Sequence, residues 1–305
     1  MKILVTGSSG LIGSALVTHL TGAGHYVVRL VRSAPNRDRG DVLWDPVSGK
    51  IERSKLEGMD AVVHLAGENI ARRRWTKARK AKLVNSRVQA TEFLAQTMAG
   101  LKSRPKVFVS ASAIGYYGHR PTQIMKEEMS AGITFLSELC QEWERATQIL
   151  NTAGIRVVIA RFGIVLSRRG GALAMMRLPF TLGLGGTLGN GRQYTSWIAI
   201  DDTVRAILHV LEKDSLSGPV NVVAPNPVTN REFTKALGRV LSRPTLFPVP
   251  GFMLRLLLGG IADAALLASC RADPEKLTSS GFKFEYPDLD EALRIILGAT
   301  TDGRR

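Results

Sequence analysis

Glycines at positions 7, 10 and 13 sit in Thr6-Gly7-Ser8-Ser9-Gly10-Leu11-Ile12-Gly13, a G-x-x-G-x-x-G spacing suited to holding a phosphate. A helix that starts on such a loop offers unbonded N–H groups and the positive end of its dipole to an anion. Gly7 is expected to make the tight turn, Gly10 to let a pyrophosphate approach the backbone, and Gly13 to let the helix pack on the preceding strand. Arg32, with Ser33 beside it, stands 19 residues after Gly13, and no Asp or Glu occurs between Gly13 and Asp38. An NAD site places an acid there for the ribose hydroxyls. A carboxylate would repel a 2′-phosphate, whereas a guanidinium binds it with a forked pair of bonds, so NADP(H) is the predicted cofactor.

These residues need a strand before the loop and a helix after it. Lys2-Ile3-Leu4-Val5 reads as a buried strand, and Ser14 to Leu20 as the start of a helix. Further strands are expected at Tyr26–Val31, 60–67, 105–112, 156–160 and 219–223, with helices over Lys77–Met98 and Phe135–Ala153 between them. This alternation predicts a parallel sheet with helices on both faces. The second half is less regular. Trp197 to Asp202 reads as a strand entering a helix capped by Asp201 or Asp202, Thr229 as the cap of a helix over 230–241 with Glu232 closing a capping box, and 251–268 as mostly helical.

Composition narrows the function classes. The 305 residues are 45% hydrophobic and 22% charged, enough for a large core. Two cysteines, Cys140 and Cys270, make no disulfide framework and sit in no metal-like cluster, so no metal is expected and a reduced, cytoplasmic compartment fits. The chain opens directly in a core strand, which speaks against a signal peptide. The apolar stretch from Leu254 to Ala268 is interrupted by Arg255 and Asp263 and is too short for a membrane span. The formal charge of +15 is dispersed, without a nucleic-acid-binding motif, so a phosphate-bearing cofactor and a basic surface account for it.

The segments TGSSGLIG, DAVVHLAGE, VFVSASAIGYYG and WIAIDD, in this order and spacing, resemble the extended and atypical short-chain dehydrogenase/reductases over nearly the whole chain. GENIA…RRW at Gly67 to Trp75, NSR at Asn85 to Arg87, LPFTLGLGG at Leu178 to Gly186 and GRQYTSWI at Gly191 to Ile198 resemble the branch called epimerase family proteins, whose members are described as NADP-dependent oxidoreductases. The resemblance implies a Rossmann-type doubly wound α/β fold: a dinucleotide-binding domain over 1–166 with 196–225 returning to it, a smaller substrate lobe from 167–195 and 226–298, and a tail over 299–305. It also implies that Leu65, Ala66 and Gly67 lie along the cofactor, that Arg87 reaches it or braces the loop over it, and that Val165 lies near the nicotinamide.

In the wider family a Ser orients the substrate oxygen, and a Tyr-x-x-x-Lys pair moves the proton beside a hydride carrier. Ser112 matches the Ser position, with Ser110 as its neighbour on the substrate side. The pair is missing: the Tyr place falls on Phe135 or Leu136 and the Lys place on Leu139 or Cys140. Tyr116 and Tyr117, on a glycine-flanked loop just after Ser112, are the alternative proton donors. Arg72, Arg73, Arg74 and Trp75 suit an anionic substrate such as a nucleotide-linked sugar, and Gln193 and Trp197 are placed in the far wall of the pocket. His64, within its strand, reads as a core histidine. The function expected is NADP(H)-dependent redox or epimerase chemistry on a small molecule; the alternative is a non-catalytic NADPH-binding regulator or redox sensor.

Overall fold

The computed structural model describes residues 1–33, 35–36, 40–71 and 74–298. Strand β1 (Lys2–Thr6) leads into α1 (Leu11–Gly22), then β2 (Tyr26–Val31), the hairpin β3 (Val42–Asp45) and β4 (Lys50–Ile51), and β5 (Ala61–His64). Helices α2 (Lys77–Asn85) and α3 (Val88–Ala99) precede β6 (Val107–Ala113), followed by β7 (Arg120–Met125), α4 (Phe135–Arg145), α5 (Gln148–Thr152), β8 (Arg156–Phe162) and β9 (Ile164–Leu166). The chain continues through α6 (Gly171–Thr181), β10 (Tyr194–Thr195), β11 (Trp197–Ala199), α7 (Ile200–Glu212), β12 (Gly218–Val222) and β13 (Val228–Thr229). It ends with α8 (Asn230–Val240), α9 (Gly251–Leu258), β14 (Cys270–Ala272), α10 (Glu275–Ser279) and α11 (Leu289–Leu297).

Eight strands form one sheet in the order β12-β8-β6-β5-β1-β2-β3-β4. Every pairing is parallel except that of β3 with β4. Because strand side chains alternate between faces, the continuous apolar run of β1 serves two cores. Ile3 and Val5 pack with Leu16 and Leu20 of α1 and with Val204, Ile207 and Val210 of α7. Leu4 packs on the other face with Ala90 and Leu94 of α3 and Leu150 of α5. The expected doubly wound sheet is therefore observed. Strand order reverses at β1, between β2 and β5, and the loops at the carboxyl ends of these strands border the crevice where open α/β sheets bind ligands.

The expected helix over 77–98 is two helices. At the break Ser86 donates to the Leu83 carbonyl and accepts from the Glu68 N–H, while Arg87 leaves ideal helical geometry at φ −111° and turns its guanidinium onto the Glu68 carbonyl. The long helix expected over 135–153 likewise divides into α4 and α5. Asp201 and Asp202 do not cap α7; the cap is Ala199, without a side-chain bond. Asp202 is fully buried and accepts from the N–H groups of Glu285 and Tyr286, which ties the C-terminal region to α7. Thr229 and Glu232 do form the expected capping box on α8.

Candidate functional site

The loop between β1 and α1 is shaped by its glycines. Gly7 has φ +64°, and a Cβ there would stand 2.7 Å from the Leu65 backbone. A Cβ on Gly13 would stand 2.2 Å from the Gly7 carbonyl oxygen. That oxygen accepts from the Gly10 N–H at 2.9 Å, closing the turn. Gly10 is the N-cap of α1 and carries no side chain, so none caps the helix, and no acid lies in the first turn. The helix terminus therefore offers its N–H groups and partial positive charge to an outside anion. This cradle fits a dinucleotide's pyrophosphate, and Ser8, Ser9, Leu11 and Ile12 lie on it.

A cleft of about 1680 Å³ runs from this loop past Arg32 and Ser33 to the β3–β4 hairpin and the C-terminal end of α2. Arg32 is exposed and makes no hydrogen bond or ion pair among the described residues. Glu68, on the opposite wall, is engaged by Arg79 at 3.0 Å and Lys82 at 3.8 Å. The Arg79 hydrogen bond, with smaller contributions from Lys82 and Arg32, holds its carboxyl below the ordinary carboxylate value. The cleft thus presents a guanidinium, free among the described residues, at the place where an NAD site carries an acid.

Leu65, Ala66 and Gly67 line the same cleft. The Leu65 and Ala66 N–H groups both donate to Thr6 Oγ1 at 3.1 Å. With that oxygen accepting, the Thr6 hydroxyl points its proton at His64 Nδ1, 2.8 Å away, so His64 carries its own proton on Nε2 and donates to Thr91 at 2.9 Å. Trp143 Nε1 donates to the same threonine. His64 is completely buried, and burial pushes its pKa down to about 3, so it is a neutral brace beneath the loop, as a core histidine should be. Arg87 lies under Gly67, donates to the Glu68 and Leu83 carbonyls and covers the Trp143 ring at 5.1 Å. In this arrangement Arg87 braces the loop.

At the carboxyl ends of β6 and β8, polar side chains meet inside the protein. Ser112 donates to Glu144 Oε1 at 2.7 Å. Arg161, whose side chain is only 3% exposed, forks onto both Glu144 oxygens at 2.9 and 2.7 Å and donates to the Tyr117 hydroxyl at 3.0 Å. Burial alone would lower the Arg161 pKa, but the Glu144 carboxylate outweighs it and raises it, so the guanidinium stays charged. Tyr117 is fully buried and donates to Asn221 Oδ1 at 2.7 Å; burial pushes its pKa up to about 12. Its hydroxyl is committed at both ends. Tyr116 is half-buried, its ring lies 3.5 Å from the Arg161 guanidinium, and its hydroxyl has no hydrogen bond among the described residues. Glu144, Arg161 and Asn221 were missed as site residues in the sequence. The available signal was a charge, Arg161, inside an apolar strand, which a core tolerates only when paired.

The positions of the absent Tyr–Lys pair are filled by apolar packing. Leu136 and Leu139 are buried with Leu83, and Trp75 and Phe135 pack against them. Burial raises the Cys140 thiol to about 11, so it stays protonated. Other expected residues are dispersed. Ser110 is buried in β6 and turned towards the Ala111 carbonyl. Val165 sits half-buried on β9, beside Ile198 of β11. Gln193 is buried and donates to the Leu188 and Leu266 carbonyls, and fully buried Trp197 donates to the Asn226 carbonyl, so both brace the second half of the chain. Arg74 is exposed and lies against Gly259; Arg72 and Arg73 lie outside the described residues, as does the 299–305 tail. A second cavity, of about 440 Å³, opens between Trp75, Lys80, His119, Phe135 and Arg255.

A model of the NAD dependent epimerase/dehydratase family matches residues 3–224, and a domain of unknown function (DUF1731) matches residues 249–296. The chain belongs to the NAD dependent epimerase/dehydratase family. It is 46% identical to Epimerase family protein MT2273 of Mycobacterium tuberculosis, over 95% of this chain and 96% of that protein. It is 35% identical to human Epimerase family protein SDR39U1, over 97% of this chain and 100% of that protein. The crystal structure of human SDR39U1 (isoform 2) with NADPH superimposes with a TM-score of 0.90 at 33% identity, covering 98% and 100% of the two chains. A nucleoside-diphosphate sugar epimerase from Corynebacterium glutamicum superimposes at 0.81 with 36% identity, covering 98% of this chain and 58% of that one. MoeE5 in complex with UDP-glucuronic acid and NAD, at 23% identity and a TM-score of 0.77, shares the fold.

Proposed function

We propose that this protein binds NADP(H) along the carboxyl edge of its sheet and carries out redox or redox-neutral epimerase chemistry on a small, anionic molecule, a nucleotide-linked sugar being one such class. The observation that carries the cofactor reading is the uncapped helix terminus at Gly10 facing the same cleft as Arg32, which is unpaired among the described residues. The NADPH held by the human relative supports it. Gly7 to Gly13 would hold the pyrophosphate, Arg32 and Ser33 the 2′-phosphate, and Leu65, Ala66, Gly67 and Val165 the rings and riboses. Segments 167–195 and 226–298 would close over the substrate. The cofactor supplies or accepts a hydride; the protein must orient the substrate oxygen and move its proton.

For the proton, Tyr116 is the better placed of the two loop tyrosines, because its hydroxyl is unengaged among the described residues and that of Tyr117 is not. Ser112, donating to Glu144, presents its oxygen as an acceptor for a substrate hydroxyl. The alternative, an NADPH-binding regulator without turnover, is favoured by one observation: the Tyr–Lys positions are filled by buried Leu136, Leu139 and Cys140. Single-turnover oxidation of bound NADPH, followed by absorbance over a panel of carbonyl compounds and nucleotide sugars, with product analysis for epimerisation, separates the two. Activity that falls about 10²–10⁴-fold in Tyr116→Phe at unchanged NADPH affinity supports the enzyme. Full activity in both Tyr116→Phe and Ser112→Ala rejects this loop as the site, and NADPH binding without turnover on any compound favours the regulator.

A further inference from the structure

Large exposed apolar side chains are concentrated in two adjoining stretches of the second half of the molecule. Residues 175–184 and 246–257 contribute ten exposed examples, while the nine others among the described residues are scattered. Leu178 of α6 is 68% exposed, Leu246 74%, and Phe252 and Leu256 of α9 67% and 71%. Each helix is anchored from beneath, α6 by Leu173 and Phe180 and α9 by Leu254. The two stretches are joined. Val249 donates to the Thr187 carbonyl and accepts from Gly189, each at 2.9 Å, and Arg243 Nε donates to the Thr181 carbonyl at 2.9 Å. A Cβ on Gly186 would collide with the Phe247 carbonyl, so the strap after α6 lies directly on the strap before α9.

The charge on these stretches has one sign. Between residues 163 and 200, and again between 233 and 262, there is no Asp or Glu, whereas Arg168, Arg169, Arg177, Arg192, Lys235, Arg239, Arg243 and Arg255 are present. Only Arg239 and Arg255 are ion-paired among the described residues, to Asp290 and Asp263. A monomer rarely leaves so large an apolar patch open to water without a use for it. Aliphatic and Phe side chains that offer no directional bonds, with Arg177 on α6 and Arg243 bonded to the last residue of that helix, match the acyl boundary and headgroup layer of an anionic bilayer. A second copy of this chain matches less well, since each copy carries a formal charge of +15. No described helix is long and apolar enough to cross a membrane, so the contact would be peripheral.

We propose that the face built from α6, the 246–247 loop and α9 is a docking surface for an anionic lipid bilayer. The experiment is co-sedimentation of the full chain with vesicles of phosphatidylcholine alone and of phosphatidylcholine mixed with phosphatidylglycerol. Light scattering in the absence of lipid accompanies it. The expected result is binding to the mixed vesicles, at least about tenfold weaker on the neutral ones and weakened by added salt. The Phe252→Glu/Leu256→Glu variant should bind the mixed vesicles at least about tenfold less, with unchanged thermal midpoint and NADPH affinity, because both side chains already face water. Ile149→Glu, an exposed apolar position on α5, should bind as the parent does. Absence of sedimentation with the mixed vesicles, or equal sedimentation of the double variant, overturns the proposal. So does a parent dimer that the double variant abolishes, which would assign the face to a second copy.

Discussion

Replacing Arg32 by Ala tests the cofactor assignment at its most specific point. The guanidinium is already in water and has no partner among the described residues, so binding a 2′-phosphate breaks no ion pair among them. The gain is then close to that of a forked, charge-assisted bond, about 1.5–3 kcal/mol, or roughly 10- to 100-fold in affinity. Because the side chain is exposed, salt screens part of this, and the lower end applies at physiological ionic strength. The parent should therefore prefer NADPH over NADH by about tenfold or more. Arg32→Ala should lose that margin on NADPH and leave NADH unchanged, since NADH carries no phosphate at that ribose. Arg32→Glu should go further and favour NADH, restoring the acid that ribose hydroxyls use. Titration calorimetry with both nucleotides at two salt concentrations measures all of this. Equal affinity of the parent for the two nucleotides, or parallel loss of both in Arg32→Ala, would refute the reasoning.

Gly13→Ala forces a methyl within 2.2 Å of the Gly7 oxygen, so it should cost about 1–3 kcal/mol in urea unfolding and weaken NADPH binding; unaltered stability and affinity would contradict the packing role. Glu144→Gln strands the buried Arg161 charge and should cost about 3–5 kcal/mol, more than Glu144→Leu/Arg161→Met, which removes both charges; the reverse order in urea melts would refute a pair held by mutual compensation. His64 titrates at about 3 when folded against an ordinary 6.5, so the unfolded chain binds its proton more tightly. Its contribution to stability is complete above pH 6.5 and is lost as pH falls towards 3, about 2 kcal/mol between pH 7 and pH 5. His64→Gln should be less acid-sensitive than the parent by that amount, and equal losses would argue against a neutral buried imidazole.

The order of the buried parallel strands and of the helices between them was legible in the sequence because local signals carried it, whereas the β3–β4 hairpin, β7 and α6 were not. Glycine spacing set the first turn, continuous apolar runs set the buried parallel strands, and Thr229 with Glu232 announced α8. Helix breaks were not legible. The interruption at Ser86 and Arg87 is fixed by the Glu68 backbone, 18 and 19 residues away in the chain, and no local propensity encodes such a partner.

The candidate site divides in the same way. The glycine loop and Arg32, proposed to hold the cofactor's phosphates, are determined by the sequence itself, since a glycine's missing side chain and a guanidinium's charge act wherever the strand-turn-helix unit places them. The hydrogen-bond partners of Ser112, Tyr116 and Tyr117 were decided by the tertiary structure. Adjacent in the chain and chemically alike, the two tyrosines differ only because Asn221, 104 residues on, and Arg161 capture the hydroxyl of Tyr117 and leave that of Tyr116 unengaged among the described residues. Gln193 and Trp197 changed from pocket wall to brace for the same reason: a buried polar group takes whichever backbone carbonyl the fold brings to it, and which one that is depends on segments distant in sequence.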